Sequence, residues 1–350
     1  MTQRERVLQT LRFEDTDRPA YDIMEGQVWW ELQQYFREHY GLDDNDAVLA
    51  FLDTDFRWLW IRDNGAAVQE PEAFVPVSQR EILTKSIAGG PLSQAETIAE
   101  VEGHDWPDPS WRERVNFKDA RSRWPHHAIV YSPGWNALFW KTCEAFGMEQ
   151  ALVKMVDRPD LFEAAVQCYH QYCMELLHRD IAEAGQFCDI CYFGDDFASQ
   201  QSMMISPEHW RRFIRPCLAE QVELARLHGM YVLYHSCGAV RPVLSNLIDI
   251  GVSGLIVFQT TAQGMGRESI ARDFGGHLVF YGGIDAQHLL SYGTNQQVKA
   301  TVRANLDAFA RCGGYVVANS HHGVASIRGD NIMSMCAAAR QADRKQNRMS

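Results

Sequence analysis

A strand-like run, Tyr231-Val232-Leu233-Tyr234, leads straight into His235-Ser236-Cys237-Gly238. In an extended chain, residues two apart project to the same face, so His235 and Cys237 can converge on one ion. A neutral imidazole and a thiolate are donors that suit zinc. Taken singly, each has a blander fate: His235 as a hydrogen-bonded core histidine, Cys237 as a small buried hydrophobe. What separates the two readings is whether further chemistry gathers at the same end of the fold.

The elements that must position this pair follow from hydrophobic periodicity. Residues 4–11 carry apolar positions at helical spacing, closed by turn chemistry at Asp15-Thr16-Asp17-Arg18-Pro19. Strand patterns follow at 20–24, 55–61, 128–131, 188–193, 231–235, 254–258, 277–281 and 314–318, most of them separated by helical patterns. Pro159 stands as a first-turn proline within the helical stretch 137–184, and Ser206-Pro207 caps the helix that leads to the His235 strand. Eight strands alternating with helices predict an α/β protein, a (β/α)8 barrel. The competing doubly wound sheet lacks a Gly-x-Gly-x-x-Gly turn after the first strand. Residues 62–127 loosen into Gly, Pro and acidic positions, which predicts an elaborated loop between strands 2 and 3 that covers something.

A barrel collects its chemistry at the carboxyl ends of its strands. Those ends carry Asp195 and Asp196, then His235 and Cys237, then Gln259, Asp285, and His321 with His322. Polar or ionisable groups at nearly every exit predict a site. His321 is the expected third metal ligand, with His322 competing according to which face of the last strand turns inward. Three protein ligands match the number in a catalytic zinc centre. Asp195, Asp196 and Asp285 are the expected acid–base or positioning groups, with Asp196 favoured, or they complete the shell. Gln259 and the unused histidine are candidates for substrate binding. Trp29, Trp30, Trp58 and Trp60 either line an apolar pocket or belong to the core. Cys188 and Cys191 have an odd separation and apolar neighbours, which predicts packing rather than metal binding.

A net charge of -12 argues against a surface that grips nucleic acid through phosphates. Nine cysteines behind a polar start, Met1-Thr2-Gln3-Arg4-Glu5-Arg6, predict a protein of the reducing cytoplasm, with no disulfide framework. No apolar run is long enough to span a bilayer.

Several motifs then align with a known family. Tyr234-His235-Ser236-Cys237-Gly238, Gly194-Asp195-Asp196, Gly282-Gly283-Ile284-Asp285, Trp106-Pro107-Asp108-Pro109 and the stretch from Gly313 to His321 resemble the uroporphyrinogen decarboxylase superfamily, in particular its methyltransferase-like branch. The resemblance spans nearly the whole chain and implies one distorted (β/α)8 TIM barrel over 1–350. In the decarboxylases an arginine-rich segment after the first strand grips tetrapyrrole carboxylates. Here that place reads Met24-Glu25-Gly26-Gln27, and the position of their catalytic aspartate falls at Trp60. Carboxylates would be repelled at such a glutamate.

The other branch contains zinc-dependent methyltransferases that work with a corrinoid carrier protein, and its His-x-Cys motif is matched by His235 and Cys237. Its third ligand is often a cysteine, at the position of His321 here. A His, His, Cys set carries less negative charge and predicts a more Lewis-acidic zinc, suited to polarising the oxygen of a methyl ether or alcohol. The implied function is methyl transfer between such a small molecule and a corrinoid partner. The alternatives are a decarboxylase-type tetrapyrrole enzyme and a non-catalytic tetrapyrrole or corrinoid binder.

Overall fold

A computed structural model describes residues 1–61, 89–321 and 326–342. Eight parallel strands form one curled sheet: β1 (Ala20–Tyr21), β2 (Phe56–Trp60), β3 (Ala128–Ser132), β4 (Ile190–Gly194), β5 (Tyr231–His235), β6 (Gly254–Phe258), β7 (Val279–Ile284) and β8 (Tyr315–Asn319). The strand order is β1-β8-β7-β6-β5-β4-β3-β2, with helices between most successive strands. This is the predicted (β/α)8 barrel architecture. The ends of the sheet, β1 and β2, are tied by Asp55, whose amide donates to the Tyr21 carbonyl (3.0 Å) and whose carboxylate accepts from the Tyr21 amide (2.9 Å).

The period-two alternation of the strands divides the interior into two layers. Ala128 and Val130, Ile190 and Tyr192, Tyr231 and Leu233, Val279 and Tyr281, and Val316 and Ala318 all point into the barrel. The alternate residues Tyr131, Cys191, Phe193, Val232, Tyr234, Phe280 and Val317 pack outward against the helices. Cys188 and Cys191 both belong to this outer layer, as packing residues.

The helices start where the sequence puts its caps. Thr2 and Glu5 make a reciprocal capping box at Gln3–Leu11, and Ser206 Oγ accepts from the His209 amide (3.1 Å). Pro159 opens a 29-residue helix, Pro159–Phe187. No helix among the described residues is long and apolar enough to cross a membrane.

Two expectations change. The first strand, predicted over 20–24, has only two residues, because the chain leaves it for a turn at Met24–Gly26 in which Glu25 has φ 55°. Of the elaborated segment 62–127, residues 62–88 lie outside the described residues. The remainder includes the short helices Ile98–Glu102 and Phe117–Arg123 and the single 3-10 turn Pro109–Trp111, all packed on Pro159–Phe187.

Candidate metal centre

His235 ends β5 in the inward-facing series after Tyr231 and Leu233, so it stands at the carboxyl mouth of the barrel. Its neighbour across the ladder is Gly194. A Cβ there would lie 2.9 Å from both the Cβ of His235 and Nε1 of Trp135, so glycine is what lets the Trp135 and His235 rings approach to 6.5 Å. After Cys237 the chain turns at Gly238 with φ +82°, where a Cβ would stand 2.3 Å from the Ser199 carbonyl.

Asp196 follows β4 and completes the group. Its Oδ1 accepts from the Cys237 amide (3.0 Å) and lies 3.6 Å from His235 Nε2, which is itself 3.7 Å from Cys237 Sγ. One ligand atom from each of Asp196, His235 and Cys237 lies within 4.8 Å of the other two. An imidazole nitrogen, a sulfur and a carboxylate oxygen gathered in a partly buried mouth match the donors of a zinc site.

Charge coupling within the cluster is strong. Burial pulls the His235 imidazole down, but its bonds to Asp196, Cys237 and Glu25 outweigh that and hold it well above its ordinary range. Burial raises Asp196, yet the His235 bond and charge win, leaving its carboxyl at about 2. Burial, followed by the charge of Asp196, pushes the Cys237 thiol up to about 11. The sulfur is therefore a thiol until a cation replaces its proton.

A residue that the strand-end survey did not select closes the site from below. Glu25, on the turn after β1, has its side chain only 3 % exposed, and its Oε1 lies 2.7 Å from His235 Nδ1. The Tyr192 hydroxyl donates to the same oxygen (2.8 Å). The available signal was a glutamate in an otherwise apolar segment, read only as a group that repels carboxylates.

The other predicted residues are held elsewhere. His321 follows β8 outside the three-residue cluster; its carbonyl accepts from Asn319 Nδ2 (2.8 Å) and its charge acts on Asp196. His322 lies outside the described residues. Asp195 is buried, and its carboxylate accepts from the amides of Phe139 (2.6 Å) and Trp140 (3.0 Å) at the start of the helix Leu138–Phe146. Asp285 likewise accepts from the amides of Gln287, His288 and Leu289, fixing the turn after β7. Gln259 joins loops: its Oε1 accepts from the Gly238 amide (2.9 Å) and from Gln200, while its Nε2 donates to the Ser320 carbonyl (3.3 Å).

Trp29 is 5 % exposed and packs in the outer hydrophobic layer. Trp60 does face inward, stacked on Trp58 at 5.7 Å and edge-on to Tyr192 at 5.4 Å. A cavity of about 900 Å³ lies beside the mouth, walled by Trp106, Trp111, Tyr169 and Tyr172. The Tyr169 hydroxyl donates to the Trp135 carbonyl (3.3 Å), linking that wall to the loop against His235.

Comparison with known proteins agrees with this architecture. The family model for uroporphyrinogen decarboxylase (URO-D) matches residues 141–342. A solved structure described as a methyltransferase from Methanosarcina mazei is similar over 97% of this chain and 99% of that one, at 17% identity and a TM-score of 0.70, a likeness of fold. An L-ribulose 3-epimerase (13% identity, 76% and 94% covered, TM-score 0.43) and a D-psicose 3-epimerase (11%, 84% and 88%, 0.39) are much more distant. No curated protein matches the chain. The matched stretch takes in more than half of the residues, including all three clustered donors, and the chain belongs to the uroporphyrinogen decarboxylase family.

Proposed function

We propose that the protein is a zinc-dependent methyltransferase that moves a methyl group between a small methylated molecule, a methyl ether or alcohol, and a corrinoid carrier protein. The observation that carries this reading is the group Asp196, His235 and Cys237, within 4.8 Å of one another at the mouth of a uroporphyrinogen decarboxylase family barrel. The likeness of fold to the Methanosarcina methyltransferase supports it. In this reading Nε2 of His235, Sγ of Cys237 and Oδ1 of Asp196 hold the ion, with Asp196 in the place expected of His321. When bound, the zinc supplies Lewis acidity toward a substrate oxygen.

Asp196 changes the charge balance. A thiolate and a carboxylate together offset a divalent ion, making it a milder Lewis acid than the two-histidine set would. The carboxylate is also a hard oxygen donor in a mouth that already holds buried Glu25. An uncharged ether or alcohol fits there, whereas an anionic substrate would face like charge. Trp58, Trp60 and Tyr192 give the inner wall an apolar surface that excludes water from a methyl group. Asp195, Asp285 and Gln259 keep the surrounding loops in place through backbone amides and a carbonyl.

Metal analysis of the wild type beside Cys237→Ser, together with transfer from methoxylated aromatics and simple alcohols to reduced cobalamin, tests the proposal. One zinc per wild-type chain, lost in the variant, and methylated cobalamin from at least one substrate are the expected results. A metal-free wild type, or a metal-loaded protein that methylates no cobalamin but turns over uroporphyrinogen, would overturn it.

A further inference from the structure

We infer that Glu25 is a positioning residue of the metal centre: it takes the hydrogen bond from Nδ1 of His235 and thereby commits Nε2 to the side where Asp196 and Cys237 stand. The inference rests on the metal-binding reading of that cluster. An ionised carboxylate only accepts hydrogen bonds. Glu25 Oε1, which already accepts from the Tyr192 hydroxyl, lies 2.7 Å from Nδ1, the place of an acceptor for Nδ1–H, and a neutral ring that donates there keeps its lone pair on Nε2. Nε2 is the atom 3.6 Å from Asp196 Oδ1 and 3.7 Å from Cys237 Sγ. Without the bond to Glu25, neither the tautomer nor the ring plane of His235 is set from that side.

The backbone around Glu25 is built for this aim. Glu25 has φ +55°, a conformation that residues with a Cβ seldom adopt, and Gly26 follows with φ +62°, packed so closely on Trp58 that a Cβ would lie 2.4 Å from its Cδ1. The turn is pinned from three separate elements. Met24 donates its amide to Asn319 Oδ1 (2.9 Å), Asn45 Nδ2 donates to the Gly26 carbonyl (3.0 Å), and Tyr281, bonded through its hydroxyl to Asp22 (2.8 Å), also reaches the Ile23 carbonyl (3.4 Å). Tyr192, from the strand next to that of His235, donates to the carboxylate oxygen that faces Nδ1 and so fixes which oxygen is presented. These side chains and two left-handed residues converge to deliver one carboxylate to one imidazole nitrogen.

The test uses the full chain as Glu25→Met and Glu25→Gln. Methionine keeps the length and the burial but accepts no comparable bond, whereas the glutamine amide oxygen accepts from both Nδ1–H and the Tyr192 hydroxyl. Co²⁺ and Zn²⁺ affinities are measured by competition with a chromophoric chelator, and the Co²⁺-thiolate absorption reports whether Cys237 and His235 still share the ion. E25M is expected to lose about 10- to 100-fold in affinity with a changed Co²⁺ spectrum, and E25Q to stay within about fivefold of wild type with the wild-type spectrum.

Wild-type affinity in E25M overturns the inference. So does an E25Q that loses more than about tenfold, because then charge rather than orientation is what Glu25 contributes; this arm stands even where E25M fails to melt cooperatively. A wild type that binds neither ion instead overturns the metal reading itself.

Discussion

The two ends of the barrel both bury carboxylates, and they satisfy them in opposite ways. At the amino end, Asp55 has a fully buried side chain that accepts from Arg6 (2.6 Å) and Arg18 (2.8 Å), and Asp189 accepts from Arg4 (2.8 Å) and Arg121 (2.7 Å). At the mouth, Asp196 has an amide and an imidazole for partners, and no arginine or lysine pairs with it among the described residues. Permanent guanidinium cations close the amino-end clusters electrostatically. The mouth uses partners that titrate, and so stays responsive to an arriving cation. Charge pairing at one end serves the fold, and incomplete pairing at the other marks the place where chemistry is expected.

Substitutions at each end can break this contrast. Asp55→Ala removes the buried acceptor shared by Arg6 and Arg18 and leaves them only the more exposed Asp17 and Asp53, so unfolding by urea should show a loss of roughly 3 kcal/mol. Zinc affinity of the folded fraction should stay within about twofold of wild type; a parallel loss of both would mean that the ends are not independent. Asp196→Asn should do the reverse. Zinc affinity, read by chelator competition, should fall about 100-fold, on the order of 2.7 kcal/mol, while the metal-free protein at neutral pH melts only somewhat below the wild-type temperature, because the variant gives up the pairing with His235 that holds the Asp196 carboxyl at about 2.

Between the two ends sits Asp22, which accepts from Trp58 Nε1 (3.0 Å) and the Tyr281 hydroxyl (2.8 Å) inside the barrel. Burial lifts its carboxyl to about 7 from an ordinary 3.8, against those two hydrogen bonds. A folded pKa above the unfolded one means that the fold binds this proton more tightly. The resulting stability is complete below pH 3.8 and is lost as pH rises through about 7. Asp22→Asn mimics the protonated form at every pH. Between pH 4 and pH 8 the wild type should therefore lose about 4 kcal/mol more unfolding free energy than the variant; parallel pH profiles would remove Asp22 as the titrating group. The smallest effect belongs to Asp285→Ala, which removes the acceptor for three amides after β7. It should cost about 1 kcal/mol of stability and leave methyl transfer within twofold in the coupled cobalamin assay.

Much of this was legible in the chain because each strand pattern is bounded by turn chemistry and alternates cleanly. His235 and Cys237 read as a pair because a one-residue spacing fixes their relative direction whatever surrounds them. Ligand choice beyond that pair depends on how neighbouring strands are staggered. The ladder sets Gly194 opposite His235, which carries Asp196 to Cys237, and no local pattern reveals such a register. Asp195 and Asp285 were read as chemical groups because an aspartate after a strand looks the same whether it faces the mouth or caps the next helical turn. Glu25 escaped selection for another reason: its role depends on a left-handed turn that shortens the first strand, and periodicity alone predicted that strand to continue.

The hydrogen bond from His235 to Glu25 joins positions 210 residues apart, bringing the turn after the first strand across to the fifth. A contact of such sequence separation must overcome a large loop-closure entropy before it is rewarded. A chain with its N-terminal segment undocked would still carry Asp196 and Cys237 on adjacent strands, yet its His235 would lack the Glu25 bond. Competence for cation capture thus arrives with the closing of the ring, and a nascent or unravelling copy lacks the anchored histidine.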